Sequence, residues 1–130
     1  MFKLKVVPRF SETDALGHIS NVSFPVWFEE ARMPLFKFFT PDLDPKKWRL
    51  ILASIKIDFT AHAFVNKYIL ITLVVKKIGI FPMVIEHKAF QSDYLVAKGE
   101  AILVQFAYKS QKSMAISSEI RGVLVGHLGI

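Results

Sequence analysis

The spacing of apolar residues changes once along the chain, and this change restricts the fold more than any other feature of the sequence. Residues 24–38 carry apolar side chains at spacings of three and four, which predicts one amphipathic helix. From residue 51 onward the spacing becomes two, which is typical of β-strands. The predicted strands are residues 2–10, 51–59, 68–78, 83–91 and 96–108. This order predicts an α+β fold, in which a five-stranded antiparallel sheet wraps around one long helix.

Two prolines interrupt the helical stretch. Pro25 is compatible with a first helical turn, so we expect the N-cap near Val22 or Ser23. Pro34 would remove a hydrogen bond within the pattern, and predicts a kink or a break followed by a short second helix. Charged residues are expected mostly off the apolar face of this helix; they are Glu29, Glu30, Arg32 and Lys37.

The strand patterns also predict which side of each strand is buried and whether another subunit covers the sheet. Residues 51–59 alternate, and the apolar face is predicted to consist of Ile51, Ala53, Ile55, Ile57 and Phe59. Residues 69–71 and 73–75 are apolar on both faces, which indicates cover by the helix on one side and by another subunit on the other. Hydrophobic residues make up 52% of the sequence. We therefore expect a homo-oligomer, either a dimer or a tetramer.

Length and composition exclude several classes of protein. The 130 residues suffice for a single domain, spanning residues 1–130. No apolar stretch approaches the ~20 residues of a membrane span, so no membrane association is expected. The net charge of +6 comes from dispersed Lys and Arg without a nucleic-acid motif, so no nucleic-acid partner is expected. The sequence has no Cys and its start resembles a strand more than a signal peptide, which favours a cytoplasmic protein.

A polar loop before the helix holds the candidate chemistry. Asp14 precedes Gly17 and His18, and Asn21 lies just before the expected helix start. Free N–H groups at a helix N-terminus and the positive end of its dipole stabilise an oxyanion. A carboxylate beside such a terminus can act as a nucleophile or as a general base toward water.

These residues resemble the signature of the hot-dog-fold acyl-CoA thioesterases, the 4-hydroxybenzoyl-CoA thioesterase-like group. The matching stretches are Ser11-Glu12-Thr13-Asp14-Ala15, Gly17-His18, Asn21 and Phe28-Glu29-Glu30-Ala31-Arg32. The likeness continues through Ile57-Asp58-Phe59, Lys77-Ile78-Gly79 and Lys98-Gly99-Glu100-Ala101. It implies a hot-dog fold, an acyl-CoA substrate hydrolysed without a cofactor, and a catalytic carboxylate at Asp14. It also implies that backbone N–H groups at the helix start hold the oxyanion, here those around Asn21 and Val22.

Each site residue also has a plainer interpretation. Asp14 is a residue type favoured in turns, and Glu12 is the competing carboxylate. Gly17 could serve only a turn, and His18 could be structural instead of contacting substrate. Asn21 is more typical of a helix cap than of a catalyst.

The remaining predictions concern the substrate. The Lys76-Lys77 pair lies near a strand end and is the candidate for binding the phosphates of CoA. The other histidines lack the spacing of metal ligands, so no metal is assigned. Ile80-Phe81-Pro82 replaces a hydroxyl residue of the family pattern, which leaves the acyl group open. The alternative function is a non-catalytic acyl-CoA-binding hot-dog module; a hot-dog dehydratase is a weaker one, because its motif is absent.

Overall fold

A computed structural model describes residues 1–107 and 112–128. Its strands are β1 (Phe2–Val6), β2 (Leu50–Phe59), β3 (Ile69–Ile78), β4 (Pro82–Gln91), β5 (Tyr94–Ala107) and the two-residue β6 (Lys112–Ser113). Its helices are α1 (Ser23–Ala31), α2 (Met33–Phe39) and α3 (Ser118–Val125), with short 3-10 turns at Phe10–Glu12 and Pro45–Lys47. The strands form one antiparallel sheet in the order β1-β3-β4-β5-β2, and β6 pairs with β5. The predicted α+β fold is confirmed.

The core lies between α1 and the inner face of the sheet. Buried apolar side chains of α1 pack there against those of β3 and β4, among them Phe24, Trp27, Phe28, Ile71, Leu73 and Ile85. Gly99 on β5 allows the closest approach, because a Cβ at this position would lie 2.8 Å from Cε2 of Phe28. Real side chains do not approach so closely, so any larger residue at Gly99 would push the helix away from the sheet.

The central helix is broken in two. α1 ends at Ala31, Arg32 has φ −80° and ψ −7°, and α2 begins at Met33 with Pro34 in its first turn. Pro34 cannot donate the next hydrogen bond of α1, and its ring would clash with the preceding turn. The structure thus confirms a break at the proline and corrects the expectation of one long helix. Pro25 lies in the first turn of α1, as predicted.

Two strand predictions need correction. β1 ends at Val6, before Pro8, which lacks an N–H for a sheet ladder. In β2 the register shifts between Leu52 and Ser54, so Ala53 forms a bulge. Leu52 then lies opposite the buried Leu103, and Ile51 moves to the outer face. The predicted face of residues 51–59 is therefore wrong on the N-terminal side of the bulge.

Outside these points the strands agree with the predicted ones to within two residues. The predicted end of the last long strand, Tyr108, lies outside the described residues. The last helix, α3, begins after Ser117, whose side chain caps it by accepting a hydrogen bond from the Ile120 N–H at 3.2 Å. Among the described helices, none has the length and apolar character needed to cross a membrane.

Candidate active site

Asp14 lies in a tight loop that its own side chain helps to shape. Its Oδ1 accepts hydrogen bonds from the N–H groups of Leu16 at 2.8 Å and His18 at 3.1 Å. Its N–H donates to the His18 carbonyl at 2.7 Å, and Gly17 completes the turn with φ +79°, a conformation that favours glycine. The side chain is exposed, and Oδ2 has no hydrogen-bond partner within residues 1–107 and 112–128. One carboxylate oxygen therefore holds the loop while the other is free for a substrate or a water molecule.

Glu12, the competing carboxylate, is fully engaged. Oε1 accepts from the Arg9 N–H at 2.8 Å, and Oε2 accepts from the indole N–H of Trp27 at 2.9 Å. Its side chain points toward α1, because residues 10–12 form a 3-10 turn in place of extended backbone. Glu12 connects the loop to the helix and is not placed for chemistry.

The His18 ring is held by aromatic contacts. It stacks on the His62 ring at a centroid distance of 4.1 Å and meets the edge of Phe64 at 5.3 Å. The backbone of His18 bridges to Phe64, and the Ile19 N–H donates to the Ala63 carbonyl at 2.8 Å. The Asp14 loop is thus anchored on the segment that connects β2 to β3.

The start of α1 leaves backbone donors free. The N-cap is Val22, as predicted, and no side chain, that of Asn21 included, caps this helix. Ser23 instead directs its hydroxyl to the Glu12 carbonyl at 3.5 Å. In the described part of the chain, the N–H groups of Asn21 and Val22 have no acceptor, and both residues are exposed. Such donors are what an oxyanion requires.

The structure brings together Asp14, Gly17, His18, Asn21 and Val22, which share one loop and the helix start that follows it. Lys76 and Lys77 lie elsewhere, near the opposite end of β3. β3 begins at Ile69, directly after the segment on which the Asp14 loop is anchored. Lys76 lies about 23 Å along the strand from Ile69. Its Nζ lies 3.9 Å from Oε2 of Glu86 on the outer face of the sheet. These two lysines therefore do not lie with the other predicted site residues.

Two cavities of about 450 Å³ each lie near the Asp14 loop and the broken central helix. The first opens beside the Asp14 loop and is lined by Gly17, Phe64, Val65, Asn66, Lys67, Gln91, Ser92 and Tyr94. The second lies between the broken helix and β2, with mostly apolar walls that include Val26, Met33, Phe36, Trp48 and Leu52. Both volumes are in the range of small-molecule sites.

Sequence reasoning missed a buried polar pair behind the helix. Arg32, only 2% exposed, donates from Nη1 to Nε2 of the fully buried His87 at 3.2 Å. A guanidinium can only donate, so Nε2 of His87 is the acceptor and Nδ1 carries the proton toward the Gly99 carbonyl, 3.4 Å away. Burial, aided by the charge of Arg32, lowers the pKa of His87 to about 3. The predicted position of Arg32 off the apolar face is wrong, and no local signal pointed to His87.

Within residues 1–107 and 112–128, no three His, Asp or Glu side chains are grouped as metal ligands.

Known proteins resemble this chain in both sequence and fold. Residues 8–124 match the thioesterase-like superfamily. A predicted thioesterase from Bacillus stearothermophilus is 33% identical and covers 98% of this chain and 96% of its own, with a TM-score of 0.96. A thioesterase from Thermus thermophilus, complexed with coenzyme A and Zn, has a TM-score of 0.85 at 22% identity over 95% of this chain and 96% of its own. At that identity the likeness concerns the fold alone.

In sequence, the uncharacterized protein YsmA of Bacillus subtilis is 25% identical over 122 residues, which are 93% of this chain and 83% of that protein. The likenesses confirm the hot-dog fold, a curled antiparallel sheet around a central helix. The chain belongs to the thioesterase-like superfamily.

Proposed function

We propose that the protein hydrolyses an acyl-CoA thioester to the free acid and CoA, with Asp14 as the reacting carboxylate. Family membership supports thioester hydrolysis in general. The observation that carries the finer proposal is the free Oδ2 of Asp14, because a nucleophile or general base needs an unpaired oxygen that a substrate can reach.

Two routes are open to this carboxylate. As a general base, Oδ2 takes a proton from water, and the resulting hydroxide attacks the thioester carbonyl. As a nucleophile, it forms an acyl–aspartyl anhydride that water then hydrolyses. In both routes negative charge develops on the carbonyl oxygen, and the free N–H groups of Asn21 and Val22 are the proposed donors to it. The CoA thiolate leaves and is protonated by solvent.

Gly17 and His18 would position the substrate. Gly17 has no side chain, and a Cβ built there meets no atom within 4 Å, so a ligand can approach the backbone of the loop closely. His18 fixes Asp14 through its N–H. Lys76 and Lys77 stay predicted contacts for the CoA phosphates, at a site shared with a second subunit.

A homo-oligomer forms part of the proposal. β2 lies at the end of the sheet, so the outer edge of this ten-residue strand has no neighbour in the described chain. Apolar side chains near the start of α1 are exposed, with Val22 at 76% and Val26 at 65%. A free strand edge and an apolar surface both favour association. Light scattering at low micromolar concentration should show a dimer or tetramer, and a stable monomer would contradict this part.

A cytoplasmic location stays a prediction that rests on the absence of Cys from the sequence.

The test of the function is a hydrolysis screen over short, medium, long and aryl acyl-CoAs, with released thiol as the signal. Equilibrium binding of the same esters is measured in parallel. Turnover of at least one ester well above the uncatalysed rate supports the proposal. Binding without turnover would favour the non-catalytic module, an alternative supported by the turn-forming bonds of Asp14 Oδ1.

A further inference from the structure

We propose that His62 is a positioning residue for the Asp14 carboxylate, acting through the ring of His18. The proposal rests on the proposed function, since it takes Asp14 as the reacting group. His62 lies 48 positions away in the sequence, on the segment between β2 and β3, and its side chain is exposed.

His18 and Asp14 are joined by two hydrogen bonds. The N–H of His18 donates to Oδ1 of Asp14 at 3.1 Å, and the N–H of Asp14 donates to the His18 carbonyl at 2.7 Å. Both the backbone and the carboxylate of Asp14 are therefore tied to one residue. A displacement of His18 would move the free oxygen Oδ2 with it.

The His18 ring is oriented by its aromatic neighbours. Its Nδ1 is buried and has no hydrogen-bond partner in the described chain, so no bond at this nitrogen fixes the ring. The ring is instead held by two aromatic neighbours. His62 lies nearly parallel to it, with an interplanar angle of 22° and a centroid distance of 4.1 Å, and Phe64 packs against it edge-on. Ring stacking therefore replaces the usual hydrogen bond.

The backbone of the segment that carries His62 is anchored by hydrogen bonds on both sides. The buried side chain of Gln91 donates from Nε2 to the carbonyls of Phe64 at 2.7 Å and Lys67 at 3.0 Å, and accepts from the Phe64 N–H at 2.9 Å. On the other side of His62, the Thr60 N–H donates to the Val96 carbonyl at 2.9 Å. The backbone that carries the His62 ring is therefore anchored on both sides of the stack with His18.

The experiment compares His62→Ala with His62→Phe, which restores a flat ring. We expect His62→Ala to lower kcat about tenfold with little change in KM, because small displacements of a reacting group are costly. His62→Phe should recover most of the loss. The matched control is His127→Ala, since His127 also stacks, on Phe2 at 4.3 Å, but contacts Val75 near the far end of β3. It should lower Tm and leave kcat unchanged.

A second readout does not require catalysis. Amide hydrogen exchange at Leu16 and His18, the two donors to Asp14 Oδ1, should become faster in His62→Ala and return toward wild type in His62→Phe. Unchanged kcat and exchange in His62→Ala would overturn the inference while leaving the proposed function intact. Equal losses of kcat in His62→Ala and His62→Phe would also overturn it. A wild-type protein without hydrolase activity would defeat the proposed function, and the exchange rates would still decide whether His62 holds the loop.

Discussion

The Asp14 loop and the Arg32–His87 pair are both polar, yet they use their ionisable groups in opposite ways. Asp14 is exposed. Its Oδ1 accepts two hydrogen bonds within its own loop, and its Oδ2 has no partner in the described chain. Arg32 and His87 are buried and bond to each other, and His87 also bonds to the Gly99 carbonyl, while Nε of Arg32 has no partner in the described chain. A group available for chemistry keeps an unpaired atom that water can reach, whereas a buried group contributes to stability only when its polar atoms are paired. The two regions should therefore respond differently to substitution.

The largest expected effect is on catalysis at Asp14. Asp14→Asn keeps an oxygen that can accept the bonds from Leu16 and His18, but replaces the free carboxylate oxygen by an amide. On the best ester from the screen, kcat should fall by at least ~10²-fold, the usual scale for a positioned proton-transfer group. Tm should hardly change.

Glu12→Gln is the matched control, because Glu12 is held by Arg9 and Trp27. It should cost about 1 kcal/mol of stability, the scale of one hydrogen bond, and retain most of kcat. A fully active Asp14→Asn protein would remove the catalytic assignment and leave the binding module as the better interpretation.

The buried pair should show the reverse pattern. His87→Leu leaves the guanidinium of Arg32 without its acceptor, and should lower the free energy of unfolding by about 3 kcal/mol. The kcat of the folded protein should stay within about twofold, since neither residue belongs to the Asp14 loop. Urea unfolding and steady-state kinetics on the same samples measure both.

The double variant Arg32→Met/His87→Leu should be more stable than His87→Leu alone, because it removes the buried charge together with its acceptor. A larger loss in the double variant would show that Arg32 contributes through contacts other than the one to His87.

The stability of the protein should depend on pH through His87. The pKa of His87 is about 3 in the folded protein, lowered mainly by burial, against about 6.5 for an exposed histidine. Between these values only the unfolded chain takes up the proton, so the contribution is complete above pH 6.5 and is lost as the pH falls toward 3. The slope approaches about 1.4 kcal/mol per pH unit.

His87→Gln keeps a donor and an acceptor but does not titrate. Its free energy of unfolding, measured by urea titration between pH 6.5 and 5, should fall less steeply than that of wild type. Identical slopes in the two proteins would contradict the low pKa of His87.

The smallest effect is expected at Lys76 and Lys77. Their change to Glu should raise KM for a CoA ester about twofold at low salt, without a change in kcat, because exposed charges act weakly and are screened. Raising the ionic strength should remove the difference from wild type. An unchanged KM at low and high salt would end their assignment to CoA binding.

Much of the fold follows from local patterns that the sequence alone determines. The strand periods, the break of the helix before Pro34 and the turn at Gly17 depend on neighbouring residues and on backbone sterics. The order of Asp14, Gly17, His18 and Asn21 likewise placed the candidate site in one loop, because residues so close in sequence stay close in space.

Contacts between side chains that are distant in sequence could not be predicted from local patterns. The bulge at Ala53 reverses the face of Ile51, and such a shift depends on pairing with β5. Glu12 is engaged by Trp27, His18 by His62 and Arg32 by His87, a residue 55 positions away. These partners are brought together by sheet register and helix packing, which sum many weak contacts over the whole chain, so no single stretch of sequence contains them.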